Sequence, residues 1–249
     1  MSIILAIETS SELASVALFQ SAAPADVLAR ESAGVRTHSQ AVLPMVQEVL
    51  REAGLALADC DAIAFGAGPG SFTGVRTACG VAQGLAFGAD LPVLPLVTLE
   101  AMAEACHART GALNVLAVLD ARMGEVYWAQ YRRAADGGWE AVCAPALSAP
   151  GAVAPAVACG GADGLAACGN GFAHYPEALA TALAAHGCAP GVAADAQADI
   201  LPHARELAVL GARAFAAGRS VPADQAQPLY LRNKVAYTFA ERQAMKAAP

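Results

Sequence analysis

The chain is poor in lysine and in charge, which limits the partners that it can bind alone. Of its 249 residues 15% are charged, the net charge is −7, and Lys234 and Lys246 are the only lysines. Phosphate binding needs clustered Lys and Arg, so we expect no autonomous binding to nucleic acid. The chain also lacks the run of about 20 apolar residues that a membrane span requires, so we expect no membrane partner.

The cysteines lack the close spacing of a metal or redox site. There are seven, and the two nearest, Cys159 and Cys168, are nine positions apart. Zinc ribbons and thioredoxin-like sites use CxxC pairs, so the spacing excludes both. Reduced thiols in a cytoplasmic protein are the simplest interpretation, because the cytosol keeps thiols reduced.

Several catalytic motifs are missing as well. The five histidines include no pair at i+3 or i+4, which excludes a helical metal clamp. Neither lysine follows a glycine, as a Walker A loop requires. The stretch Gly70–Gly74 has Phe72 where a nucleophile elbow has serine. We therefore predict no catalytic residue and no metal ligand.

What the chain does have is a glycine-rich stretch from Phe65 to Gly88. It predicts the end of a buried strand, a sharp turn at Gly68 and Gly70, and a helix capped by Ser71 or Thr73. A glycine loop before a helix offers backbone N–H groups to an anion, but it is also an ordinary tight turn. The residues leave both interpretations open.

The predicted helix carries a ridge of glycines. Gly80, Gly84 and Gly88 recur at four-residue spacing in line with Arg76, and we expect Gly88 to end the helix. An interior glycine costs about 1 kcal/mol relative to alanine, so a compensating contact is expected. A ridge without side chains lets another element approach closely. That element is either the helix's own sheet or a second subunit.

Apolar runs and turn residues predict the order β-β-β-α-β-α-β-α in the first half. This is the ribonuclease-H-like pattern, an antiparallel meander followed by parallel crossover units. The second half repeats it in degraded form, with Gly169–Gly171 in the place of the first glycine loop. We predict an α/β fold with two βββαβα-type lobes, the duplicated actin-like architecture, divided into residues 1–107, residues 108–218 and a C-terminal extension, residues 219–249.

Local signals add detail to this order. A Thr37–Gln40 capping box is expected before the first helix, and Pro202 is expected in the first turn of the last helix. The first helix is expected to face the core with one stripe, formed by Val42, Leu43, Val46, Val49 and Leu50.

Several motifs occur together along the chain. They are Ile4–Ser10, His38–Gln40 with Leu43–Pro44, Gly68–Arg76, Asp120–Met123 with Glu125–Tyr127, and Pro228 with Tyr230–Arg232. Together they resemble the TsaB (YeaZ) family. The resemblance is strong over the first 130 residues or so and weak at the end, and the Gly68–Arg76 stretch is its most specific part.

The resemblance implies an actin-like ATPase (ASKHA) fold and a role in forming threonylcarbamoyladenosine next to the anticodon of tRNA. It implies a non-catalytic partner of the catalytic, metal-binding paralogue TsaD, joined by the ATPase TsaE. It also implies a homodimer, contact with tRNA only through the complex, and a cytoplasmic location. No cofactor of its own is expected, and ATP or ADP would bind at the level of the complex.

Two sets of residues follow from this resemblance. The first is a subunit interface on the first two helices, formed by His38, Ala41, Met45, Thr73, Arg76, Thr77, Gly80, Val81, Gly84 and Gly88. The second is a vestigial nucleotide site, formed by Glu8, Thr9, Ser10, Gly68, Gly70 and Ser71.

Two enzymatic alternatives stay open. One is a metal-dependent transferase or peptidase of the same superfamily, and the other is a small-molecule kinase of the ASKHA class. The metal-binding paralogue carries an HxxxH pair whose positions fall here on Thr98 and Met102, which counts against the first. The kinase alternative requires an aspartate where this chain has Glu8.

Overall fold

The computed structural model describes residues 2–33, 38–156 and 164–232. They form two lobes, each built on one mixed β-sheet. The first lobe contains β1 (Ile3–Glu8), β2 (Leu13–Gln20), β3 (Leu28–Ala33), α1 (His38–Ala53), β4 (Ala62–Gly68), α2 (Phe72–Ala89), β5 (Val93–Val97) and α3 (Thr98–Thr110). The second contains β6 (Asn114–Arg122), β7 (Glu125–Arg133), β8 (Trp139–Ser148), β9 (Leu165–Cys168), α4 (Gly171–His174), α5 (Pro176–Ala185) and α6 (Gly191–Ala194). Helix α7 (Ala204–Ala216) follows the second lobe in the chain but packs on the first.

The two sheets share one topology. The first has the strand order β3-β2-β1-β4-β5 and the second the order β8-β7-β6-β9. In both, the first strand pairs antiparallel with the second and parallel with the fourth. Each fourth strand leads into a left-handed glycine, Gly68 at φ 114° and Gly169 at φ 108°. The predicted duplicated ribonuclease-H-like fold is confirmed, and over the described residues the sheet of the second copy is one strand shorter.

The core of the first lobe lies on both faces of its sheet. The β1 strand is apolar on both faces because both are covered, as in other buried parallel strands. Leu5 and Ile7 point to one side, where α1 and α2 pack. Ile4 and Ala6 point to the other side, where α7 packs.

The C-terminal part of the chain returns to the first lobe. Helix α7 contacts β1, β2 and β4. Beyond it, Val221 pairs with Val93 at the end of the sheet, and the backbone N–H of Leu229 donates to the carbonyl of Ala67. The boundaries at residues 107 and 218 remain predictions.

Several local expectations are corrected. Leu43 is 46% exposed, so it does not belong to the core stripe of α1. Helix α2 passes through Gly88 and ends at Ala89, and the residue after it, Asp90, adopts the left-handed conformation. Pro202 precedes His203, the N-cap of α7, and therefore lies before the first turn. Thr37 lies outside the described residues.

The cysteines also differ from expectation. The thiols of Cys60, Cys79, Cys106, Cys143 and Cys168 are free, as expected. Cys188 is disulfide-bonded, so the expectation of uniformly reduced thiols is wrong at this position.

None of the helices within the described ranges is both long enough and apolar enough to cross a membrane.

Candidate functional site

A cavity of about 750 Å³ lies between the two lobes. The first lobe contributes the β1–β2 turn and the N-terminal end of α2. The second lobe contributes the β6–β7 hairpin and the loop after β9. The wall is completed by the end of the strap, the name used here for residues 226–232. Polar lining residues include Ser10, Ser11, Glu12, His38, Ser71, Thr73, Asp120, Arg122, Asn170, His174, Tyr230 and Arg232.

The glycine loop packs tightly on the β1–β2 turn. The backbone N–H of Ser71 donates to the carbonyl of Ser10 at 2.7 Å, and the Ser71 hydroxyl accepts from the N–H of Gly74 at 3.4 Å. A side chain at Gly70 would come within 2.6 Å of Ser10, and one at Gly74 within 1.9 Å of the carbonyl oxygen of Thr9. These glycines are thus required for close backbone approach.

Glu8 is fully buried behind this loop. Its Oε1 accepts from the backbone N–H of Ser10, whereas Oε2 has no hydrogen-bond partner among the described residues. Burial raises the pKa of Glu8 from 4.5 to about 7, although the Ser10 hydrogen bonds oppose this. A carboxyl group in this position is held largely in its neutral form near pH 6.

The predicted nucleotide site does not assemble as a unit. Ser10, Gly70 and Ser71 line the cavity. Glu8 and Thr9 have no exposed surface, and the strap covers Gly68, where an added Cβ would come within 2.9 Å of the carbonyl oxygen of Leu229. A nucleotide site of the actin type needs an acid that faces the cleft. Glu8, Thr9 and Gly68 therefore lie outside the cavity wall and do not fit a working nucleotide site, and the assignment of the set to a vestigial site stays a prediction.

A polar network shapes the second-lobe side of the cavity. The Asp120 carboxylate accepts from the hydroxyl of Tyr175 at 3.0 Å and from the backbone N–H of Arg122 at 3.0 Å. The Asn170 side chain accepts from the backbone N–H of Asp120 at 2.8 Å. Arg122 and Met123 both have a positive φ, 59° and 58°, which is costly for residues with a Cβ. The hairpin tip is thus held in a strained conformation.

The strap crosses the cleft and bonds to both lobes. At its first-lobe end, Arg76 Nε donates to the hydroxyl of Tyr230 at 2.7 Å. At its other end, Arg232 Nη2 lies 2.8 Å from the carboxylate of Glu125 and donates to the carbonyl of Ala121 at 2.9 Å. The sequence motifs Asp120–Met123 and Tyr230–Arg232 therefore meet in space. Both motifs carry the family resemblance, but no local sequence pattern predicts that they form one contact.

The glycine ridge lies on the outer face of α2. Thr73, Arg76, Gly80, Gly84 and Gly88 are exposed, and Thr77 and Val81 are half-buried. A Cβ added to any of the last three glycines would meet no described atom within 4 Å. The alternative in which these glycines pack on their own sheet is therefore wrong.

The residues of α1 that were predicted to form the interface are buried or half-buried, unlike the ridge on α2. Ala41 and Met45 of α1 are only 4% and 6% exposed because they pack in the first lobe's own core, so their assignment to an interface is corrected. His38 is half-buried at the cavity edge, with Nε2 3.4 Å from the carbonyl oxygen of Glu12. The ring of Phe87, which the sequence analysis overlooked, is 84% exposed on α2.

The positions compared with the paralogue's histidine pair are buried. Thr98 and Met102 have no exposed surface, and the Thr98 hydroxyl donates to the carbonyl of Pro69 at 2.6 Å. Over the described ranges, no three His, Cys, Asp or Glu side chains come together as a metal site.

Comparisons with known proteins give consistent matches over most of the chain. A family model described as "TsaD: tRNA N6-adenosine threonylcarbamoyltransferase" matches residues 27–238. The chain is 39% identical over 234 residues to the tRNA threonylcarbamoyladenosine biosynthesis protein TsaB of Escherichia coli strain K12, covering 94% of this chain and 96% of that protein. The protein of the same name from Haemophilus influenzae is 37% identical over 241 residues, covering 94% and 95%.

Solved structures agree with these matches. YeaZ from Pseudomonas aeruginosa is 39% identical with a TM-score of 0.78, covering 93% of this chain and all of that chain. A Pseudomonas aeruginosa structure described as an uncharacterized protein with similarity to peptidase YEAZ is 41% identical with a TM-score of 0.82, over the same shares.

Proposed function

Because this chain belongs to the TsaB (YeaZ) family, we propose that it takes part in the biosynthesis of threonylcarbamoyladenosine in tRNA. Its role is that of a non-catalytic subunit that supports a catalytic partner. The observation that carries this proposal is the open glycine ridge of α2, a surface without side chains on an otherwise well-packed lobe.

The partner is a TsaD-like paralogue that docks on α1 and α2. A TsaE-like ATPase joins the pair, and ATP or ADP binds at the level of the complex. In the absence of the paralogue, a second copy of this chain covers the same ridge and forms a homodimer. Contact with tRNA is made through the complex, and the location is cytoplasmic.

The chemistry of α2 supports a helix as the occupant. Gly80 and Gly84 let a second backbone approach closely, and Phe87 offers a large apolar ring beside them. Arg76 and Thr73 provide polar contacts at the other end of the ridge. In a two-fold dimer the same surface would meet itself. A stable interface buries roughly 1,000 Å² or more, which two helices from each subunit can supply.

Replacing Gly84 by leucine tests this proposal. A Cβ at this position has open space around it in the monomer, so we expect Gly84→Leu to fold normally. Its side chain would hold a second helix away, so we expect the homodimer and the complex with the paralogue to weaken together. Sedimentation equilibrium measures the first, and co-purification with the paralogue measures the second.

A leucine on a different exposed helix provides the matched control. Ala180→Leu on α5 adds the same side chain to the second lobe, and it should leave both assemblies unchanged. Circular dichroism checks that both variants are folded. A folded Gly84→Leu protein that dimerises and binds the paralogue as the wild type does would show that the ridge is not the docking surface.

A further inference from the structure

We propose that the strap connects the docking surface on α2 to the second lobe and positions a residue of that surface. In this view, docking of a second copy on α2 and the conformation of the β6–β7 hairpin tip are energetically coupled through residues 226–232. The inference rests on the proposed use of α2 for docking. It assigns roles to Tyr230 and Arg232 as positioning residues.

The first-lobe end of the strap forms part of the ridge. The guanidinium carbon of Arg76 lies 3.7 Å from the centre of the Phe72 ring, and the rings of Phe72 and Tyr230 are 5.8 Å apart. Tyr230 is 46% exposed. Because Arg76 lies one helical turn from Gly80, a helix docked on the glycines would reach this stack. The position of Tyr230 is therefore part of the surface that a partner contacts.

The part of the strap before Tyr230 is held to α2 and β4 by hydrogen bonds to its backbone. The Gln83 side chain donates to the carbonyl of Ala226 at 3.0 Å. The N–H of Leu229 donates to the carbonyl of Ala67 at 2.7 Å. These contacts fix the path of the strap but leave the side chain of Tyr230 to be ordered by Arg76 and by the residues that follow it.

The second-lobe end is held by the polar contacts of Arg232 and by Leu231, which packs against the apolar cluster of the second lobe. The side chain of Arg232 is only 12% exposed, and its guanidinium bonds to Glu125 and to the carbonyls of Ala121 and Arg122. Those carbonyls belong to the strained tip where Arg122 and Met123 have positive φ. Arg232 therefore holds the tip in a conformation that these side chains disfavour.

This arrangement links the two ends. Without Arg232 the tip can relax, and the last residues of the strap lose their polar anchor. Tyr230 must then be ordered at the moment of docking, and ordering a side chain on binding weakens affinity. By linkage, a docked copy that orders Tyr230 also favours the held conformation of the tip by the same factor.

The first test is the variant Arg232→Gln in the full chain. We expect it to fold and to raise the dissociation constant of the homodimer roughly three- to tenfold, the range expected for one newly ordered side chain. Arg132→Gln is the control, because Arg132 forms an exposed ion pair with Glu140 on the same lobe. If Arg232→Gln itself unfolds, Glu125→Gln removes only the carboxylate partner and should weaken the dimer in the same direction.

The second test follows the tip directly. Hydrogen exchange of residues 120–125 is measured below and above the dimer dissociation constant. We expect slower exchange in the dimer for the wild type and a smaller difference for Tyr230→Phe, which loses the hydroxyl that accepts from Arg76. Arg122→Gly relieves the strain, so it should restore part of the affinity lost in Arg232→Gln.

The outcomes separate this inference from the function it rests on. If Gly84→Leu leaves docking intact, the ridge assignment itself fails. If docking depends on Gly84 but Arg232→Gln and Glu125→Gln dimerise as the wild type does, the strap inference is overturned. Equal hydrogen-exchange rates of residues 120–125 in the monomer and in the dimer would also overturn the strap inference.

Discussion

Glu8 lies at the strand end where an actin-type nucleotide site has its acid, but its carboxylate is not accessible from the cleft. It stands at the end of β1 with no exposed surface, and a Cβ at Gly66 would come within 1.8 Å of its Oε2. The sequence predicts its position at the strand end because the apolar run before it is a local signal. Its burial depends on Gly66, 58 residues away, and no local pattern indicates that contact.

The raised pKa of Glu8 has a consequence for stability. The folded pKa of about 7 lies above the unfolded value of 4.5, so the folded state binds more protons between these values. Stability is therefore fully present below about pH 4.5 and falls as the pH rises towards 7. The loss is on the order of 3 kcal/mol, from about 1.4 kcal/mol per pKa unit.

We expect Glu8→Gln to remove this part of the pH dependence. Urea unfolding at pH 5 and pH 8 measures it as the difference in unfolding free energy between the two conditions. Burial also raises the pKa of Glu206 to about 7, so the variant should keep a smaller decline of the same sign. Equal declines in the variant and the wild type would contradict the assignment to Glu8.

Helix α2 has two faces with opposite requirements for glycine. At Gly74 an added Cβ would collide with backbone atoms of Thr9, whereas at Gly80 it would meet no described atom within 4 Å. The first glycine is needed for packing within the chain. The second is unfavourable for the isolated helix and therefore needs an explanation outside the monomer.

Alanine at these two positions should have opposite effects. Gly80→Ala should stabilise the monomer by about 1 kcal/mol through helix propensity. Gly74→Ala should destabilise it by roughly 2–4 kcal/mol, in the range of overpacked or strained core substitutions. Chemical denaturation at a concentration below that of dimer formation measures both. A Gly74→Ala protein as stable as the wild type would contradict the backbone contact with Thr9.

The helices and strands could be predicted well from the sequence, because apolar runs and the glycines between them are local signals. The strands around Ile3–Ile7 and Leu165–Cys168 and the Ser71 cap are confirmed. Leu43 lies beside the buried stripe of α1, and the apolar pattern alone does not separate it from Val42 and Val46. The strap contacts join residues more than 100 positions apart, and such pairing follows from the arrangement of the lobes rather than from any local pattern.

At the scale of the whole molecule, charge limits direct contact with tRNA. The net charge is −7, and Arg232, part of the basic cluster near the C-terminus, is only 12% exposed and bonded to the second lobe. Among the described residues, the guanidinium of Arg232 is therefore occupied by contacts within the chain and not free for a phosphate backbone. This agrees with a subunit that contacts tRNA through its complex.

We expect the isolated protein to bind tRNA with a dissociation constant weaker than about 10⁻⁴ M at physiological salt, the weak end of non-specific binding. Fluorescence anisotropy with labelled tRNA measures this, and the same titration with the paralogue added serves as the comparison. Micromolar binding by the isolated chain would show that a basic surface is present after all.

The return of α7 to the first sheet has a consequence for the order in which the protein is made. Strands β1, β2 and β4 leave the ribosome early, but the helix that covers one of their faces follows much later. Until Ala204–Ala216 has been synthesised, that apolar face has no cover from α7. The N-terminal lobe therefore cannot complete its core before α7 has been made, and until then the nascent chain exposes a surface of the kind that chaperones bind.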